Sequence, residues 1–115
     1  MLTINLKNPT FRKKLRTIGH HLHPLVSIKS GGLEGGAAFE LERALEDHEL
    51  IKIKLPGMDR KQKQALLHRI ELEFDATVVQ KIGNIALVFR PSRSTRAKKL
   101  SNVYRWDKGM LRQTG

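Results

Sequence analysis

Leu50-Ile51-Lys52-Ile53-Lys54-Leu55 sets Ile51, Ile53 and Leu55 on one side of an extended chain and Lys52 and Lys54 on the other. Period-two alternation of this kind predicts a strand with one buried face and another at least partly in water. Downstream, Pro56-Gly57 is a turn, and Asp59 with Gln62 three residues later is a capping-box signature. Leu66, Leu67, Ile70 and Phe74 then give an amphipathic helix. Thr77 to Ile82 and Ile85 to Arg90 are two strands separated by Gly83-Asn84, a hairpin spacing. Upstream, Ala37, Leu41, Ala44 and Leu45 follow a helical period, with Glu40, Glu42, Glu46 and Asp47 on the remaining surface. Leu25 to Ile28 has the length of a short buried strand. Before it, Phe11, Leu15, Ile18 and Leu22 form the stripe of another helix, opened by Asn8 as cap and Pro9 in its first turn and stopped by Pro24.

The order is therefore αβαβαββ. Strands joined by helices should run parallel and the last strand antiparallel, giving a four-stranded mixed sheet. The lysines of the second strand predict helices on one sheet face only, an α/β two-layer sandwich. Periodicity is lost after Pro91, so residues 1–91 are expected to be the domain and residues 92–115 a basic, flexible tail. No internal repeat is present.

The 115 residues suit one domain with a real core, and 39% are hydrophobic. The absence of cysteine removes disulfide scaffolds, thiol nucleophiles and cysteine-based zinc sites. No apolar run approaches the ~20 residues that cross a bilayer. Met1 to Lys14 is polar and basic without an apolar signal region, which predicts a cytoplasmic protein. The charge is uneven. Twenty-two Lys and Arg face 11 Asp and Glu, for a formal net charge of +11. Residues 1–32 hold six bases and no acid, residues 33–89 eight bases and ten acids, and residues 90–115 eight bases and one acid. Positive charge gathered at both ends of a balanced middle points to a polyanion, whose phosphates shed counterions on binding.

Lys29-Ser30-Gly31-Gly32 and Leu33-Glu34-Gly35-Gly36 lie between the first strand and the second helix, with four glycines in six residues. Glycine allows close backbone approach, and the amides and dipole of a helix start favour an anion. Arg12, Lys13 and Arg16 lie off the apolar stripe of the first helix. That helix runs back along the first strand, so the three bases are expected to flank the glycine-rich loop.

Several stretches together resemble the YhbY-like single-domain members of the CRM family (chloroplast RNA splicing and ribosome maturation). They are His20-His21-Leu22-His23-Pro24-Leu25-Val26, the glycine loop, Ala44 to Lys54 with His48-Glu49-Leu50-Ile51-Lys52 as its most specific part, Val79 to Gly83, and Leu87 to Ser92. The resemblance covers about residues 8–92. It implies an RNA-binding fold similar to the C-terminal domain of translation initiation factor three, with the last strand inserted between the second and third. It also implies association with precursors of the large ribosomal subunit. The family carries a GxxG loop like that of KH domains, which clamps RNA backbone. The matching residues here are Lys29, Ser30, Gly31 and Gly32, with lysine at the first glycine position. Either Lys29 is strained and the loop reshaped around Gly31, or Lys29 adds a charge at a phosphate. Glu34 stands where the family usually has a small hydroxyl residue.

Other constellations carry less. His20, His21 and His23 have the look of metal ligands, yet no carboxylate lies between Met1 and Leu33, and structural or solvent-facing roles fit them better. His48 reads as an architectural hydrogen-bonder. No nucleophile or carboxylate pair suggests catalysis, and no cofactor, metal or small-molecule substrate is expected. Base stacking on the sheet would need strand aromatics, and the one available, Phe89, falls on a buried side. In the tail, Arg93, Arg96, Lys98 and Lys99 offer charge, and Tyr104 and Trp106 beside Arg105 offer stacking surfaces. The expected partner is RNA, bound by a monomer. A non-specific DNA-binding or nucleoid-associated architectural protein is the competing reading, and a membrane-surface adaptor built on the basic first helix ranks behind both.

Overall fold

In the computed structural model, residues 8–91 and 101–103 are described. The elements are α1 (Pro9–His20), β1 (Pro24–Ser27), α2 (Gly36–His48), β2 (Leu50–Lys54), α3 (Arg60–Phe74), β3 (Thr77–Ile82) and β4 (Ile85–Phe89). The expected order αβαβαββ is therefore the observed one. The sheet runs β1-β2-β4-β3. β1 and β2 are parallel, and β4 is antiparallel to both β2 and β3, so the last strand is inserted between the second and third.

Local chemistry sets the element ends. Asn8 accepts from the amides of Thr10 (2.8 Å) and Phe11 (3.2 Å), and Pro9 takes the first helical position where its missing N–H costs nothing. The capping box of α3 is complete. Gln62 N–H donates to Asp59 at 2.8 Å, and Asp59 N–H donates to the Gln62 side chain at 3.1 Å. Gly83 turns the β3–β4 hairpin with φ +59°. β1 starts at Pro24, one residue earlier than the apolar run, because a proline without N–H is tolerated at the start of an edge strand.

The helices do not share one face of the sheet. Ile51, Ile53, Ala86 and Val88 meet Leu41 and Leu45 of α2 and Leu66, Leu67 and Ile70 of α3. Leu50, Val79, Leu87 and Phe89 point the other way and meet Leu15 and Ile18 of α1. The expected two-layer sandwich is thus corrected to three layers, α1 over one face and α2 with α3 over the other. The reason lies in coverage. α1 reaches Leu50 and Leu87 but not the far end of β2, so Lys54 stays exposed and the strand keeps its alternation. Gly19 lets α1 settle close, since a Cβ there would lie 2.6 Å from a methyl of Leu87.

Only Glu49 separates α2 from β2. It takes φ +63°, ψ −53°, a conformation that costs a non-glycine residue roughly 1–3 kcal/mol. Its surroundings hold it there: its carbonyl accepts from Arg90 N–H at 2.9 Å, and its carboxylate accepts from the Ser101 hydroxyl. Ser101 is fully buried, Asn102 donates to the Leu50 carbonyl at 2.7 Å, and Val103 packs beside Phe89. This part of the expected flexible tail is docked on the domain, through polar contacts that leave no periodic trace in the sequence.

Candidate nucleic-acid interface

The glycine loop leaves the sheet where Ser27 of β1 pairs with Lys54 of β2. Ile28 is buried and its N–H donates to the Lys54 carbonyl at 2.8 Å, which fixes the point of departure. Gly32 N–H then donates to the Lys29 carbonyl at 2.8 Å, closing a tight turn over Lys29, Ser30, Gly31 and Gly32. Left-handed φ values fall on Gly32 (+77°) and Gly35 (+63°), while Lys29 is not among the positive-φ residues. Lysine at the first position is therefore unstrained and exposed. Leu33, 3% exposed, is sunk into the core between the two glycine pairs and pins the loop at its centre.

The loop surface is open. Among the described residues, a Cβ at Gly31, Gly32, Gly35 or Gly36 would meet nothing within 4 Å. The helix cap Gly35 supplies no side-chain acceptor, so the first amides of α2 lack that partner. Glu34 does not cover them. Its exposed carboxylate lies 3.6 Å from the Arg69 guanidinium on α3, a solvated pair of little energetic weight.

The basic residues of α1 are distributed differently from the expected cluster. Arg12 donates to the carbonyl of Val79 at 3.1 Å, across the irregularity between Val78 and Gln80 where β3 slips against β4. A bulge leaves backbone groups without ladder partners, and Arg12 satisfies one of them. β3 and β1 are opposite edges of the sheet, roughly 14 Å apart at three strand spacings, so Arg12 does not sit beside the loop. The expectation that all three bases flank the loop is corrected for the same reason as the layer count: α1 lies on the other face. Lys13 and Arg16, with Thr17, His20 and His21, line a shallow depression of about 410 Å³. Arg16 also overhangs the uncovered part of the sheet, beside Lys52.

Lys54 joins these regions. It pairs with Ser27 of β1 on one side and Ile85 of β4 on the other, so one end of the sheet carries both the loop and the uncovered face. In the sequence, Lys52 and Lys54 read as a solvated strand face with nothing to mark them as a site. Phe39, 70% exposed in the first turn of α2 and three residues past Gly36, is likewise unmarked by any motif. An aromatic that the helical stripe leaves out was the available signal. Arg93, Arg96, Lys98, Lys99, Tyr104 and Trp106 lie outside the described residues. Among the described residues, no three His, Cys, Asp or Glu side chains are grouped to hold a metal ion. No helix there is long and apolar enough to cross a membrane.

Arg90 is strongly engaged beside the acidic helix α2. It contacts Glu42 and Glu46 of α2 and donates to the Phe74 carbonyl at 3.1 Å, tying both helices to the end of β4. The hydrogen bond from Arg90 holds the Glu42 carboxyl below its usual range. This cation is structural and is not available to a ligand.

Comparison with known proteins agrees with this geometry. Residues 8–90 match the family model of the CRS1/YhbY (CRM) domain. A Pseudomonas aeruginosa protein named "Probable RNA-binding protein PA4753" is 43% identical over 95 residues, covering 83% of this chain and 90% of that one. An RNA-binding protein of Haemophilus influenzae is 41% identical over 96 residues, covering 84% of this chain and 94% of its own length. The solution structure of the hypothetical protein SAV1595 from Staphylococcus aureus superimposes with a TM-score of 0.66. At 24% identity, over 81% of this chain and 94% of that one, it supports the fold.

Proposed function

The chain belongs to the CRS1/YhbY (CRM) domain family, and from that membership we propose that it is a non-enzymatic RNA-binding protein that grips the sugar–phosphate backbone at Lys29, Ser30, Gly31 and Gly32. The observation that carries this reading is the open turn itself. Within this turn positive φ falls on glycine, Lys29 is exposed at the corner, and among the described residues nothing lies within 4 Å of where a Cβ at Gly31 or Gly32 would stand. A phosphate there meets backbone amides, the N-terminal end of α2 and the Lys29 ammonium. Lys54, Arg16 and Lys13 extend the positive field from this corner across the α1 side of the sheet, and Arg12 contributes charge while anchoring α1. The tail bases and Tyr104 and Trp106 add further contacts in this reading.

The RNA is proposed to be ribosomal RNA of large-subunit precursors, bound in the cytoplasm by a monomer that assists assembly. The relatives named as RNA-binding proteins support the chemistry, and the resemblance to ribosome-maturation proteins supports the target. Two variants test the site. Gly31 has ordinary φ and open space around it, so both Gly31→Ala and Gly31→Asp keep the fold. Gly31→Asp should weaken binding to a ribosomal RNA fragment about tenfold by placing a carboxylate against a phosphate. Gly31→Ala should bind as the parent does. Equal binding by parent and Gly31→Asp overturns the loop assignment, and preference for duplex DNA at matched salt favours the architectural DNA reading instead.

A further inference from the structure

A groove of about 320 Å³ lies between α1 and the part of the sheet that α1 leaves uncovered. Its floor is aliphatic: Leu87 and Ile85 of β4 and Ile82 of β3. Ile82 is 66% exposed and lies beside the half-buried Ile85. Its walls are Arg16 and His20 of α1, Lys52 of β2 and Gln80 of β3. Among the described residues, no carboxylate lines it. The ligand it complements is flat and apolar in its body, polar at its edge and anionic at its attachment.

We propose that this groove takes one unpaired nucleotide of a bound RNA strand, its base lying on Ile82, Ile85 and Leu87 and its phosphate held by Arg16 and Lys52. The assignment rests on the RNA-binding reading above and adds to it a base-binding subsite on the opposite face of the sheet from the helix that the loop enters. The volume is at the lower end of the roughly 300–1,000 Å³ typical of small-molecule pockets, which fits a single nucleotide and excludes a duplex. The Gln80 carboxamide presents a donor and an acceptor to the base edge, and the Arg16 guanidinium is placed to stack or pair. Register supplies the path. Lys54 is the cross-strand neighbour of Ile85 and also pairs with Ser27, two residues before Lys29, so a strand gripped at the loop runs over Lys54 into the groove.

The test titrates the isotope-labelled full chain with two ligands and follows backbone amide resonances. One ligand is a short single-stranded oligoribonucleotide, the other the same ribose–phosphate chain without bases. The oligoribonucleotide should shift the amides of Lys52, Gln80, Ile82 and Ile85, and the abasic chain should leave them in place while shifting Gly31 and Gly32. Loop shifts with an unmoved groove overturn the base subsite and leave the loop reading standing. Groove shifts with an unmoved loop overturn the loop reading alone, and groove shifts by the abasic chain reduce the groove to a charge site and sink the proposal. As a second measurement, Ile82→Glu, at an exposed position that the fold does not need, should weaken oligoribonucleotide binding about tenfold and abasic binding by less than about twofold. Equal losses for both ligands also overturn it.

Discussion

The two faces of the sheet are covered unequally, and the difference separates structure from function. On one face, α2 and α3, of 13 and 15 residues, close over Val26, Ile51, Ile53, Ala86 and Val88 and leave the sheet exposed at the β3 edge, where Lys81 pairs with Ala86. On the other, the 12-residue α1 spans about 18 Å and covers a stripe containing Leu50, Val79, Leu87 and Phe89. Beyond that stripe the same strands display Lys52, Lys54, Gln80, Ile82 and Ile85. A sheet face closed by two helices is devoted to stability. A face closed by one short helix keeps an open groove, and the proposed nucleotide subsite lies in it.

The strongest test of this contrast compares two isoleucines. Ile51 is fully buried under α2 and α3, so Ile51→Ala should cost about 3 kcal/mol of unfolding free energy, as for other buried large-to-small changes. Ile82 is exposed on the other face, and Ile82→Ala should stay within about 0.5 kcal/mol. Denaturant midpoints at unchanged slope measure both. Comparable losses would mean that the open face is as structural as the closed one, and the contrast would break.

A smaller effect sharpens the boundary between covered and uncovered sheet. Gly19 sits where α1 touches Leu87, with its hypothetical Cβ 2.6 and 2.7 Å from the two Leu87 methyls. Alanine would gain about 1 kcal/mol of helix propensity at this position. Overpacking a buried contact costs roughly 1–3 kcal/mol, and the Leu87 methyls, 3% exposed at the edge of the groove, must shift to admit the new Cβ. The net expectation is a loss of about 1 kcal/mol for Gly19→Ala, read by thermal unfolding. A stabilised variant would show that α1 rides loosely on its face.

Much of this was legible from sequence, for reasons that follow from range. Asn8-Pro9, the Asp59–Gln62 box, Gly83-Asn84 and the alternation from Leu50 to Leu55 are local devices, each complete within a few residues, and each appears where the sequence puts it. The side on which α1 packs is not local. Connection rules constrain α2 and α3, which join parallel strands, but say nothing of a helix that precedes the first strand. A partly covered face also produces the same short alternation as a bare one. Glu49 gave no warning of its left-handed backbone, because the strain is held by Arg90 and Ser101, 41 and 52 residues away. The candidate site divides the same way. Glycines and Lys29 announced the loop, whereas the groove is assembled from four elements and exists only after folding.

The rims of the two faces differ in kind as well, and acid should expose it. The closed face is tied by Arg90 to Glu42, whose carboxyl is held below its ordinary value near 4.5, first by the Arg90 hydrogen bond and then by its charge. A lowered folded-state value means stability that is fully present above the unfolded value and is lost as pH falls through the folded one. Glu42→Gln should therefore cost stability at neutral pH, with the difference from the parent shrinking in acid as pH falls below 4.5 and the carboxyl takes up its proton. Glu42 is about half exposed, 53% for its side chain, so solvent screening keeps the whole effect below about 1 kcal/mol. The open face is seamed instead by an edge-to-face contact between Phe11 and Phe89, with ring centroids 5.7 Å apart. That pair carries no proton to lose, so the cost of Phe11→Leu should be the same at both pH values. Urea unfolding of the parent and both variants at the two pH values gives four differences. A Glu42→Gln cost that persists in acid would place the latch elsewhere, and a Phe11→Leu cost that shrinks in acid would mean that the seam of α1 depends on a carboxylate.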